Sequence, residues 1–163
     1  MRLLDGVALS GGTINNFGTL KIIGDSSISD DILNNHQLTI DAGQTLTLSE
    51  TIVTGGTVSD NGSIHVTGDS AINGAAVNGG QVTVDATTTL TLDNTTVTGS
   101  TIADNGAVKV DGGSRLNLSG VLLSGGAIIN LGTIDIFGNS SISNDALSNT
   151  QLSNTGSTPP TLN

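Results

Sequence analysis

Val53-Thr54-Gly55-Gly56-Thr57-Val58-Ser59-Asp60-Asn61-Gly62-Ser63-Ile64 contains two strand signals and the turn between them. Asp60 and Asn61 have side chains that bond their own backbone, and Gly62 accepts positive φ, so this triplet bends the chain sharply. Beyond it, Ile64 and Val66 flank His65, as Leu38 and Ile40 flank Thr39. Such alternation turns the aliphatics to one side and the polar residue to the other, as a strand requires. Short strands separated by Asn/Asp/Gly turns set the pattern for the rest of the chain.

The pattern repeats. Gly55-Gly56-Thr57-Val58 matches Gly11-Gly12-Thr13-Ile14 and Gly99-Ser100-Thr101-Ile102, each 44 residues away, and Gly125-Gly126-Ala127-Ile128 follows after only 26. The missing 18-residue block reads as one complete coil, so 44 divides into 18 and 26. Aliphatic pairs recur at Leu20/Ile22, Leu38/Ile40, Ile64/Val66, Val82/Val84, Val108/Val110 and Ile134/Ile136, with steps of 18, 26, 18, 26 and 26 residues. One coil of this kind buries nothing by itself, whereas stacked coils with parallel strands about 4.8 Å apart bury a continuous core. The spacing therefore predicts an all-β, single-stranded parallel β-helix (a β-solenoid), right-handed, with about seven coils alternating 18 and 26 residues. Residues 1–13 read as a partial N-terminal coil, 14–154 as the solenoid, and 155–163 as a C-terminal linker or cap around Pro159-Pro160. The eight extra residues of each long coil read as a bulging loop around Thr54-Gly55-Gly56-Thr57.

Four residues before each pair stands an Asn or Asp: Asn16, Asn34, Asp60, Asn78, Asp104 and Asn130. Asparagines at matching turns donate and accept along a stack, so the column predicts a structural ladder that satisfies buried polar groups.

Composition narrows the function. Four basic residues face 14 acidic ones, giving a net charge of -10. Phosphate backbones and anionic membrane surfaces both need clustered cations, which argues against nucleic acid and against anionic membrane surfaces. Apolar runs of four or five residues are far shorter than the roughly 18 that a membrane span needs, and Met1-Arg2-Leu3-Leu4 reaches Asp5 before a signal-peptide core develops. The chain reads as a slice of a longer protein. With no Cys, disulfides and thiolate metal sites are excluded.

The stretch from Val53 to Ile64, and Val82-Thr83-Val84-Asp85-Ala86-Thr87-Thr88-Thr89-Leu90-Thr91-Leu92, resemble repeats of large secreted or surface-displayed bacterial adhesins. The resemblance covers about residues 6–154. It implies placement outside the bacterial cell and a structural or adhesive role, with partners among other segments of the same long protein, a second copy stacked head to tail, or surface and matrix glycans.

Enzymatic alternatives rest on fewer residues. A polysaccharide lyase needs cations to hold carboxylates and a base to take a proton; here Lys21 and Lys109 lie four coils apart, and the aromatics are Phe17 and Phe137 alone. Asp30-Asp31 is the adjacent carboxylate pair that a glycoside hydrolase reading would use. For calcium, which takes six to eight oxygens, the candidate ligands are Asp85 and Asp111. Both stand three residues after the start of an aliphatic pair, which predicts a separation of about 5 Å. His36 and His65 fall in different columns and form no metal pair. Outward threonines such as Thr45/Thr47 and Thr89/Thr91 raise an ice-binding alternative, although Ser, Ala, Asn and Arg interrupt their columns. The expected function is that of a non-enzymatic rigid spacer or surface-contact module.

Overall fold

The computed structural model describes residues 1–154 and the strand Thr161–Leu162. It is all-β: 24 short strands stack in parallel as a β-solenoid of about eight turns. The expected linker or cap at 155–163 lies outside the described residues except for Thr161–Leu162, which pairs with Ser141–Ser143.

Each turn has three sides. The first face carries Arg2–Leu4, Thr19–Ile22, Gln37–Ile40, Thr57–Asp60 and their successors to Leu152–Asn154 in one nine-stranded sheet. The second and third faces belong to one fifteen-stranded sheet, because the long strands Ala8–Asn15 and Ser26–Asn34 run across both. The first half of Ser26–Asn34 pairs with Thr45–Ser49 and its second half with Ile52–Thr54, and from there the two faces stack separately. Residues 1–15 thus already supply strands to all three faces, where the spacing had suggested a partial coil.

Inward positions are aliphatic with few exceptions. On the first face Leu20, Leu38, Val58, Val77, Val97, Leu118 and Ile136 lie over one another. Ser26, Leu46, Ile64, Val82, Ile102, Leu123 and Ile142 form the matching column on the second. Apart from Ser26, these residues belong to one continuous apolar core up the axis. At about 25 cal/mol per Å² of apolar area removed from water, that column is the main source of stability.

The coil length differs from the sequence reading. Leu20 pairs with Leu38 after 18 residues, Leu38 with Val58 after 20, and Val97 with Leu118 after 21. Coils are near-uniform, and a step of 26 is one coil plus one side. Accordingly Leu38/Ile40 lie on the first face, Ile64/Val66 on the second, Val108/Val110 on the third, and Ile134/Ile136 on the first again. The 44-residue repeat spans two coils and one side. All three faces need the same aliphatic pair, so sequence likeness marks a strand without marking its face. The bulging loop is likewise a tight corner: Gly55 and Gly56, at φ 76° and 68°, join the third face to the first. A Cβ at Gly56 would stand 2.3 Å from the carbonyl oxygen of His36 in the coil below.

Candidate functional site

Three aliphatic columns end on a polar residue. On the first face Leu4, Ile22 and Ile40 are followed by Asp60. On the second, Leu9, Ile28, Leu48, Val66 and Val84 are followed by Asp104, and on the third Val110 is followed by Asn130. All three polar residues are buried, with exposures of 1%, 0% and 1%. Each opens an Asx-x-Gly corner in which Oδ1 accepts the N–H of the glycine two residues on. Those distances are 2.9 Å for Asp60–Gly62, 3.0 Å for Asp104–Gly106 and 3.1 Å for Asn130–Gly132; Asn16–Gly18 repeats the bond at 3.3 Å.

The expected single ladder is divided among corners. Asn16, Asn34 and Asn130 close the third face, Asp60 and Asn78 the first, and Asp104 the second. Asn34 and Asn78 are exposed. The rung above Asn16 is Asn35, since the coil there is 19 residues long and the expected step was 18. The Asn16 amide donates to Asn35 Oδ1 at 3.1 Å and to the Gln37 carbonyl at 2.7 Å. Asn35 in turn donates to the Thr57 carbonyl at 3.0 Å. Asn130 repeats the arrangement with Asn149 Oδ1 at 2.6 Å and the Gln151 carbonyl at 2.7 Å. Asn35 and Asn149 were missed because each lies one residue out of the assumed spacing.

Burial pushes the Asp60 carboxyl up to about 6 against the opposing pull of the Gly62 N–H, and pushes Asp104 up as well. Asp145 is raised to about 6 by burial and, secondarily, by the Asp104 carboxylate.

The calcium candidates are not brought together. Asp85 follows the second face and places Oδ1 2.7 Å from His65 Nε2. Asp111 follows the third face and places Oδ1 2.7 Å from Lys109 Nζ, which raises the Lys109 pKa. A 26-residue step separates the two, so they stand at different corners. Among the described residues no three His, Cys, Asp or Glu side chains converge as a metal site would require. Asp30 and Asp31 also diverge, Asp30 being exposed with φ 55° and Asp31 buried.

A groove of about 620 Å³ lies on the third face. Its floor follows one outward column, Ile52, Ala71, Thr91 and Lys109, each paired with the next. Ala71 and Thr91 are short beside Ile52 and Lys109, which creates the dip. Glu50 and Asp69 rim it, and Asp69 Oδ1 takes the Thr89 N–H at 2.7 Å. The groove offers an apolar ledge, threonine hydroxyls and carboxylate oxygens to an elongated ligand lying along the stack.

Comparison of the chain with protein-family models, curated proteins and solved structures gives no match.

Proposed function

We propose that this chain is a non-catalytic structural and adhesive module of an extracellular or surface-displayed bacterial protein: a rigid spacer whose third face makes contacts. The observation that carries this reading is the continuity of the stack. Parallel pairing runs along the first face from Arg2–Leu4 to Leu152–Asn154 without a break, nine strands in all. At about 4.8 Å per strand that is a rod of roughly 38 Å. Its groove holds hydroxyls, one aliphatic ledge and carboxylates, a surface for weak glycan contacts that gain strength by repetition. Among the described residues the backbone edge of Arg2–Leu4 and Ala8–Asn15 pairs on one side, which offers the other to a further strand from the same long protein or a second copy.

A pull-down and depolymerisation panel against insoluble and acidic polysaccharides, with calcium and with chelator, tests the reading. Binding without chain shortening is the expected result, and shortening would replace the adhesive reading with an enzymatic one. Light scattering over a concentration series tests the open edge, with a rising mass expected.

A further inference from the structure

The buried aspartates at the corners differ from the asparagines by one group. Asn16 and Asn130 spend Oδ1 on a glycine N–H and donate the amide nitrogen to the carbonyl of Gln37 or Gln151, at 2.7 Å in both cases. Asp60 and Asp104 make the same Oδ1 bond, to Gly62 and Gly106. Their Oδ2 is buried without a hydrogen-bond partner, and at Asp104 the backbone N–H groups of Val108 and Ala127 face the carboxyl and oppose the effect of burial. Gln37 and Gln151 each lie two residues past the position opposite the asparagine. The same offset from Asp60 is Gln81, since Ser59 pairs with Asn78, and from Asp104 it is Ala127, since Ala103 pairs with Ser124. An ionised carboxylate there keeps a solvent-shielded Oδ2 without a hydrogen-bond partner, whereas a carboxylic acid carries the hydrogen that the asparagine amide supplies.

We propose that Asp60 and Asp104 are proton-holding rungs: each is a neutral carboxylic acid whose Oδ2–H donates to the coil above, and the solenoid loosens at these two corners when the proton leaves. The surroundings favour the neutral form. Below Asp60 lies Ile40, whose neighbour Asp41 is already paired with Lys21 at 2.9 Å, and above it are Gly79 and Gly80. Below Asp104 lies Val84, whose neighbour Asp85 is paired with His65, and above it are Gly125 and Gly126, with Asp145 beyond. No cation pairs with either carboxyl among the described residues. Burial raises both groups, Asp60 to about 6 from 3.8. A folded-state pKa above the unfolded one gives stability that is whole below the unfolded value and lost as pH rises through the folded value. The window for Asp60 therefore runs from about 4 to about 6.

Two measurements on the full chain decide the matter. Carboxyl ¹³C shifts of Asp60 and Asp104 are followed by NMR from about pH 3 to 8. Thermal melts are recorded from about pH 4.5 to 7.5 in high salt, which screens the general charge repulsion. The Asp60 carbon is expected to titrate near 6. The parent Tm is expected to fall on the order of 5 °C across the window. The double variant Asp60→Asn, Asp104→Asn is expected to flatten that fall and to melt higher at the upper pH, and Asp145→Asn, run separately, to leave most of the fall in place. Midpoints of both carboxyls in the ordinary carboxylate range would overturn the proposal, as would a double variant as pH-sensitive as the parent. If the double variant does not fold, the parent titration decides alone.

Discussion

Gly80 rests on the carboxyl of Asp60 in the coil below: a Cβ at Gly80 would stand 2.1 Å from both Asp60 Cγ and Oδ2. Gly126 has the same relation to Asp104, with a Cβ 2.7 Å from Cγ. The coil above each buried aspartate thus gives up its side chain at the place where an aliphatic column ends. The Gly79-Gly80 and Gly125-Gly126 pairs serve as lids over the acids as well as turns, and all four glycines have positive φ.

That contact predicts unequal costs for two chemically identical changes. Gly74 has φ 63° with nothing within 4 Å of a Cβ, so Gly74→Ala bears the conformational strain alone, about 1 kcal/mol. Gly80→Ala adds a collision with a buried carboxyl and is expected to cost about 3 kcal/mol or more. Urea unfolding of the two variants measures the difference. Equal costs would show that the lid contact contributes nothing.

A second contrast concerns ion pairs. Asp135 is only 4% exposed although it points outward from the first face, and the Arg115 guanidinium pairs with it. Arg115→Ala leaves a poorly hydrated carboxylate unpaired, and the half-exposed arginine limits the loss to about 1–2 kcal/mol. The Lys21–Asp41 pair has side-chain exposures of 34% and 36%, so Lys21→Ala is expected to cost about 0.5 kcal/mol or less. Denaturant midpoints in low and high salt separate the two, since the exposed pair is the one that salt weakens.

The groove yields a prediction that bears on contact and leaves stability aside. Ala71 and Thr91 form the dip between Ile52 and Lys109. Thr91→Arg fills it from an outward position, so Tm stays within a few degrees while retention on any bound polysaccharide drops about tenfold, the equivalent of about 1.4 kcal/mol. Unchanged retention would move the contact surface to another face.

How much of this was legible depends on the length scale. Leu38-Thr39-Ile40 reveals its strand and its inward side because alternation is a local property. The solenoid follows, since no single coil can bury such a pair. The face on which a strand lies is invisible locally: Ile64/Val66 looks like Leu38/Ile40 because both face the same core from different sides. From that one ambiguity came the 26-residue coil, the undivided ladder and the pairing of Asp85 with Asp111. Asn35 was hidden by its neighbour Asn34, and only the 19-residue register identifies the true rung. The groove had no signal at all, because Ile52, Ala71, Thr91 and Lys109 become neighbours through coil lengths that vary along the chain.

Near-uniform coils also predict which deletions survive. Leu48 lies opposite Val66, and the Thr67 N–H donates to the Leu48 carbonyl, so removing residues 49–66 joins Leu48 to a segment already in register. Val77 then meets Leu38 on the first face and Ile72 meets Leu33 on the third, so each inward aliphatic keeps an aliphatic partner. Asp60 leaves with its coil, and with it one buried acid. In a stack where each coil touches only its neighbours, losing one of about eight should preserve a cooperative transition and lower the urea m-value by about one part in eight. Removing residues 49–57 takes out half as much chain but only part of a coil: the strand Ile52–Thr54 and the Gly55-Gly56 corner are lost, and the strands that follow fall on the wrong faces of the stack. That shorter deletion is expected to abolish the transition. A collapsed 18-residue variant beside a cooperative nine-residue one would mean that the coil is not the folding unit.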